Sequence, residues 1–142
     1  MEEILQEINK HSQKDGGIYI GCDSQIIKDR CVFSTVICLH GADEQKGGYY
    51  FFKRHKREKS AFPTMLMRLL REVELSIQMG LKILKKNPTV DIEIHIDANS
   101  KSGEKTSKFA DMLMGYARGA GFRCKVKPDA WASNSVADKH SK

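Results

Sequence analysis

The sequence lacks any apolar run approaching the roughly twenty residues that a helix needs to cross a bilayer. Its first residues, MEEILQE, also lack the cationic start and the apolar stretch of a secretory signal peptide. These two absences predict a cytoplasmic protein without a membrane span.

Cysteine is sparse, and the cysteines that are present have no metal-binding spacing. Cys22, Cys31, Cys38 and Cys124 form no CxxC motif, and no histidine cluster accompanies them. This pattern argues against a closed zinc site. These cysteines lie in strand-like segments, where a free cysteine packs as a small apolar residue. We therefore expect reduced thiols in the core.

The sequence motifs of two common enzyme classes are missing as well. There is no GxxxxGK loop to hold a nucleotide phosphate, and no GxSxG elbow to present a nucleophilic serine. Nucleotide hydrolysis by a P-loop and serine hydrolase chemistry are therefore disfavoured.

Length and charge narrow the remaining possibilities. The 142 residues suit a single domain, spanning residues 1–142, that can bury a core without disulfides. Lys and Arg number 24 against 18 Asp and Glu, which gives a formal net charge of +6. A basic balance favours a polyanionic partner such as nucleic acid.

The hydrophobic pattern predicts an α/β protein with elements in the order β-β-β-α-β-α-β-α. Short joins at residues 28–30 and 41–48 carry turn chemistry, so the first three strands should form an antiparallel meander. The later strands follow helical crossovers and should lie parallel to their neighbours in a five-stranded mixed sheet flanked by helices. The predicted strands are 18–23, 31–40, 47–53, 90–98 and 122–126, and the predicted helices are 2–11, 63–86, a stretch between the loop 99–105 and Gly119, and 132–140.

Two aspartates each close an apolar, β-branched run at the carboxyl end of a predicted strand. These are Asp23 and Asp97. With the first strand at the centre of the sheet and the fourth parallel beside it, the two strand ends lie next to each other. Neighbouring carboxylates repel unless a cation lies between them, and Mg²⁺ prefers a few carboxylates together with water and phosphate oxygens. The pair therefore predicts half of a divalent metal site.

The long helix offers two candidates for a further carboxylate. Glu72 and Glu74 lie on opposite flanks of its apolar stripe, and Glu72 is favoured because a carboxylate at that boundary can point over the sheet edge. Arg68 and Arg71 are spaced to pair with these glutamates, so either glutamate can also be an ordinary surface residue.

The C-terminal part of the chain offers a fourth acid. Asp138 lies in the predicted last helix, which is too short to be stable alone and is expected to dock beside the fifth strand. Asp129, which follows Pro128 at the end of that strand, is its competitor. His95 shares a strand face with Asp97, and a core histidine is the expected role.

Basic residues cluster near both aspartate-bearing segments. The run 53–59 contributes Lys53, Arg54, Lys56 and Arg57 in what is predicted to be a loop leading into the long helix. Lys101 and Lys105, together with Lys108, follow Asp97. Cations in these positions suit contacts with a phosphate backbone.

The element order and the acidic positions resemble the ribonuclease H-like fold. More narrowly, four segments are similar to the YkuK-like branch of that superfamily, found in bacteria and their phages. They are IGCDSQ at 20–25, HID at 95–97, KPDAWAS at 127–133 and ADKHSK at 137–142.

The resemblance implies a metal-dependent nuclease in which Asp23, Glu72, Asp97 and Asp138 hold two Mg²⁺ or Mn²⁺ ions. It implies hydrolysis of phosphodiester bonds, with RNA in RNA:DNA hybrids or structured nucleic acid as substrate and a 3′-hydroxyl and a 5′-phosphate as products. The alternatives are a non-catalytic nucleic-acid-binding module on the same fold, and a junction resolvase or exonuclease.

Overall fold

The computed structural model describes residues 17–40, 48–99 and 107–127, together with Glu3 and Gln6, which are helical. Within this part of the chain, no helix is long and apolar enough to cross a membrane. The elements are β1 (Gly17–Ile27), β2 (Arg30–His40), β3 (Gly48–Glu58), a 3₁₀ turn (Lys59–Ala61), α1 (Met65–Lys86), β4 (Ile92–Asn99), α2 (Ser107–Gly119) and β5 (Arg123–Lys127).

The five strands form one mixed sheet in the order β3-β2-β1-β4-β5. β1, β2 and β3 pair antiparallel as a meander. β4 lies parallel to β1, and β5 lies parallel to β4. The predicted α/β class and the mixed five-stranded sheet are confirmed. The predicted last helix at 132–140, and most of the predicted first helix at 2–11, lie outside the described residues.

The main core lies between the two long helices and one face of the sheet. Ile18 and Ile20 of β1 and Ile92 and Ile94 of β4 are buried in this core against α1 and α2. Leu69 and Val73 supply the matching apolar stripe of α1, and Leu113 that of α2. The stripe holds α1 across the centre of the sheet, and α1 brings its polar flank to the carboxyl end of β4.

Several element boundaries differ from the sequence-based expectation, and three of them bear on the site. β1 continues four residues past Asp23 to Ile27, because its second half still pairs with β2. β3 extends to Glu58 and so includes most of the basic run that was predicted to be a loop. Finally, α1 begins only after Thr64, whose hydroxyl accepts a hydrogen bond from the Met67 backbone N–H at 3.2 Å, so Pro63 precedes the helix.

Gly80 marks the closest approach between α1 and the chain leading into β5. A Cβ atom at this position would lie 2.6 Å from Cζ of Phe122, whose ring is buried. The absence of a side chain therefore lets α1 pack directly against that ring, and this contact restrains the helix that carries Glu72.

Replacing Gly80 with alanine should destabilise the fold, although alanine is the better helix former. We expect the free energy of unfolding to fall by about 1–3 kcal/mol, because overpacking at Phe122 outweighs the gain in helix propensity. Gly115→Ala in α2 is the matched control. An added Cβ meets nothing within 4 Å there, so that change should stabilise by about 0.5–1 kcal/mol. Urea denaturation of both variants measures the difference, and equal stabilisation by both changes would contradict the packing argument.

Candidate metal centre

The candidate centre lies where β1 and β4 part. Their parallel ladder pairs Ile18–Gly21 with Ile92–His95 and ends at Gly21 and His95. Asp23 and Asp97 each lie two residues beyond that last pair, so the register places them side by side. Beyond this point β1 remains paired with β2 only. β4 remains beside β5 and shifts its register against that strand between Ile96 and Asn99. The divergence opens a crevice at the carboxyl end of β4.

The third carboxylate comes from α1. Glu72 is 5% exposed and lies on the flank of the helix that faces β1 and β4. Asp23, Glu72 and Asp97 each offer an oxygen atom, and these atoms all lie within 4.8 Å of one another. Three carboxylates from three elements thus meet at one point, as expected from the sequence for these three residues.

Hydrogen bonds hold Glu72 in place. The Ser24 hydroxyl donates to Oε2 of Glu72 at 2.5 Å. Arg68, one helical turn before Glu72, donates through Nε to the Ser24 hydroxyl at 3.3 Å and through Nη2 to the Ser24 carbonyl at 3.1 Å. Ser24 is therefore fixed from two sides, and it orients the glutamate.

The electrostatics of the centre are unfavourable for a negative charge on Glu72. Burial, followed by the charge of Asp97, raises the pKa of Glu72 well above its ordinary range, and Asp23 adds to this effect. The hydrogen bond from Ser24 and the charge of Arg68 act in the opposite direction. A cation placed among the three carboxylates would relieve the repulsion.

A divalent cation fits this arrangement. Oε1 of Glu72 is buried and has no hydrogen-bond partner among the described residues. The carboxylates line a cavity of about 130 Å³, and since one water occupies about 30 Å³ in the liquid, it has room for an ion that keeps several waters. The acidic cluster of Asp23, Glu72 and Asp97 can thus bind a divalent metal. The cavity is lined by Asp23, Ser24, Met65, Arg68, Leu69, Glu72 and Asp97.

Of the other predicted acids, only Glu74 lies within the described residues. The side chain of Glu74 is 40% exposed, forms a salt bridge with Arg71 and lies 3.4 Å from the Gln78 amide nitrogen. It therefore faces away from the crevice. Asp129 and Asp138 lie outside the described residues, so the fourth ligand stays a prediction.

His95 is buried, as expected for a core histidine. Its Nε2 lies 3.2 Å from Oε1 of Glu93, and its ring centroid lies 5.3 Å from that of Tyr19. Burial lowers the pKa of His95, against the opposing effect of Glu93. Glu93 in turn accepts from Arg123 at 3.0 Å and lies 3.6 Å from Lys125. The charges on this part of β4 are therefore paired.

The predicted basic residues of the run 53–59 divide between the two faces of the sheet. Lys53 and Arg57 lie opposite Thr35 and Cys31 in the ladder with β2, and Cys31 packs against Leu75 of α1. Directly paired residues share a face, so Lys53 and Arg57 lie on the same side as α1. The intervening cations Arg54 and Lys56 lie on the other side. Lys101 and Lys105 are outside the described residues.

Helix α1 adds cations to the side that carries Lys53 and Arg57. The pKa of His55 is lowered by burial and then by the charges of Lys53, Arg57, Arg71 and Lys82. These five side chains form a basic face between α1 and the edge strand β3. Two of them, Arg71 and Lys82, were not among the cations expected from the sequence to contact a phosphate backbone.

Arg68 is the functional candidate that sequence reasoning missed. It was interpreted as a surface partner for helix carboxylates, whereas it contacts Ser24 and lines the metal cavity. The available signal was its spacing, because a residue four positions before Glu72 lies on the same face of the helix.

Comparisons with known proteins agree with the fold. The chain is similar to a protein of Bacillus subtilis (strain 168) that is named "Uncharacterized protein YkuK", with 24% identity over 159 aligned residues that cover 100% of this chain and 88% of that protein. No solved structure matches the chain. A family model described as "Ribonuclease H-like" matches residues 1–142, the whole chain. Such a family suggests a nuclease or another nucleic-acid-related function, and this chain belongs to the ribonuclease H-like family.

Proposed function

We propose that this protein is a metal-dependent nuclease that hydrolyses phosphodiester bonds by a two-metal mechanism. The observation that carries the proposal is the meeting of Asp23, Glu72 and Asp97 within 4.8 Å, with a buried Glu72 oxygen that has no hydrogen-bond partner in the described part of the chain. Such a cluster is costly for the metal-free fold and suits divalent cations with oxygen ligands.

Asp23, Glu72 and Asp97 would hold Mg²⁺ or Mn²⁺, and Asp138 is proposed as the fourth ligand. Bound there, the cations would supply an activated water and would neutralise charge on the leaving oxygen of the phosphodiester. The remaining tasks belong to the side chains of this protein, which position the carboxylates and bind the substrate.

Ser24 and Arg68 perform two of these tasks in the proposed mechanism. Ser24 keeps Glu72 in one orientation through the 2.5 Å hydrogen bond. Arg68 uses two of its N–H groups on Ser24, and a guanidinium has five such donors. Arg68 also contacts the Cys31 thiol and lines the cavity, where a remaining donor would meet a phosphate oxygen of the substrate.

The basic face is the proposed path for the nucleic acid backbone toward the centre. Burial and then the charge of Glu72 raise the pKa of the Cys22 thiol, and the charge of Arg71 opposes this effect. Arg71 therefore lies near the carboxylate cluster, and the basic face continues from it along β3 through Lys53 and Arg57. Clustered cations bind a phosphate backbone without regard to sequence and release its counterions. RNA in RNA:DNA hybrids or structured nucleic acid is the proposed substrate.

The first test is cleavage by wild type and by the Asp97→Asn variant. Labelled RNA:DNA hybrid, duplex DNA, single strands and a four-way junction are incubated with Mg²⁺, Mn²⁺ or EDTA. We expect metal-dependent cleavage by wild type and a loss of at least about hundredfold in the variant, because one carboxylate ligand is removed.

Asp91→Asn is the matched control for this test. Asp91 precedes the same strand, but it is exposed and pairs with Arg123 at 2.8 Å, far from the carboxylate cluster. Its cleavage rate should stay within about twofold of wild type. Wild-type cleavage by a folded Asp97→Asn protein would refute the mechanism. If wild type cleaved none of the substrates but still bound nucleic acid in EDTA, the result would favour the non-catalytic binding module.

The second test uses stability. In the unfolded chain the pKa of a glutamate is about 4.3. Folding raises the pKa of Glu72 above this value. The folded state then binds the proton more tightly, so the free energy of unfolding falls as the pH rises above about 4.3 toward the raised pKa. Glu72→Gln removes this cost and should raise Tm in EDTA at neutral pH by roughly 4 °C.

Addition of Mn²⁺ should make the Tm of wild type higher than that of Glu72→Gln. A metal that binds only the folded state raises the Tm of wild type, and Glu72→Gln should lose most of that rise. Glu74→Gln, two residues along the same helix, should keep it in full. A complete Mn²⁺ shift in Glu72→Gln would show that Glu72 does not hold the metal.

The third test addresses the basic face. The double variant Lys53→Gln with Lys82→Gln should weaken binding of a labelled RNA:DNA hybrid in EDTA. The slope of log K against log salt should become shallower by about 2, or about one per lost phosphate contact. Arg118→Gln in α2 with Lys125→Gln in β5 removes the same charge elsewhere and should leave the slope near its wild-type value. Equal effects of the two double variants would show that only net charge matters.

A further inference from the structure

A second, larger cavity opens beside the metal centre. It lies between the tip of the β1–β2 hairpin, the 3₁₀ turn after β3 and the start of α1, and its volume is about 810 Å³. Ligand pockets commonly measure about 300–1,000 Å³. It shares two lining residues, Met65 and Arg68, with the cavity of the carboxylates. The two cavities are thus adjoining parts of one surface.

Apolar side chains form much of the wall of this groove. Ile26 on the hairpin is 39% exposed and lines this groove. Phe62 lies on the opposite wall, and an edge contact with Phe33 at 5.0 Å between ring centroids fixes its ring. A fixed aromatic ring and an open aliphatic side chain suit a flat apolar ligand.

The charges of the groove balance. Asp29 and Glu58 line it together with Lys59 and Arg68. A stretch of phosphate backbone needs a net positive surface, which this groove lacks. A nucleobase fits better, because its faces can stack on the apolar wall and its amino groups can donate to carboxylate oxygens.

Arg68 joins the groove to the carboxylates. Its guanidinium contacts Ser24, which contacts Glu72, and the same side chain lines the groove. If Arg68 held one phosphate of a nucleic acid strand, a base flanking that phosphate would lie in the groove. The next phosphodiester along the strand would then lie at the carboxylate cluster. A base that is paired and stacked in a duplex cannot enter such a pocket without being extruded.

We propose that the strand cleaved by this protein carries an unpaired nucleotide next to the scissile phosphate, with its base in the groove beside Ile26 and Phe62. The inference rests on the proposed nuclease function and specifies its substrate as a junction between paired and unpaired nucleic acid. It assigns the groove to recognition of unpaired structure, while the basic face binds the backbone.

Ile26 and Ile27 provide a matched pair of variants. Both are exposed, at 39% and 44%, but alternation along the strand places them on opposite faces, and Ile27 does not line the groove. Ile26→Ser should weaken binding of a labelled single-stranded DNA oligonucleotide in EDTA by about fivefold, through loss of apolar contact. Its binding of the same strand in a fully paired duplex should be unchanged. Ile27→Ser should leave both affinities unchanged.

Cleavage in Mn²⁺ then tests the substrate class. Two RNA:DNA hybrids with the same labelled strand are compared. One is fully paired, and the other has a short unpaired stretch beside the phosphodiester that is to be cleaved. Wild type should prefer the second, and Ile26→Ser should lose that preference while still cleaving the first.

The outcomes separate the two proposals. Equal cleavage of both hybrids by wild type, or equal effects of the two serine variants on single-strand binding, would overturn the role of the groove and leave the nuclease function standing. Absence of cleavage on every substrate would contradict the nuclease function, and the binding comparison in EDTA would still decide the groove. Circular dichroism confirms that each variant is folded.

Discussion

The parallel ladder between β1 and β4 is short, and its last pair joins Gly21 to His95. Everything proposed for the centre depends on this register. A shift by one residue would turn Asp23 and Asp97 out of alignment, since side chains alternate along each strand. Because β1 continues with β2 while β4 ends two residues after Asp97, the sheet splits at the place where the carboxylates need space.

The carboxylates of the centre lower the stability of the metal-free fold, and in the proposed function they do so in order to bind a metal. Glu72 is buried beside two aspartates, and the only described cation that hydrogen-bonds Ser24 next to it is Arg68. A leucine at this helix position would be buried at a lower cost in free energy. The energy of a strained polar cluster has to come from elsewhere in the fold, and the apolar stripe of α1 and the close packing at Gly80 supply part of it.

Much of this arrangement could be predicted from the sequence, and the failures have physical reasons. Apolar runs and turn residues marked the order of the elements, and the strand order then brought Asp23 next to Asp97. The extension of β3 was missed because an edge strand of consecutive cations carries no hydrophobic pattern. Arg68 was missed because an arginine on a helix usually lies in solvent, and its spacing from Glu72 does not by itself reveal the tertiary contact with Ser24.

The position of β3 at the edge of the sheet has a consequence for association between copies of the protein. An edge strand presents unpaired backbone groups that can template pairing with a second chain. Along this edge the side chains from Lys53 to Arg57 are all basic or histidine. A second copy aligned there would bring like charges into register, so the same cations that suit a phosphate backbone oppose edge-to-edge aggregation. Nucleic acid, by neutralising them, would remove that protection while it covers the strand.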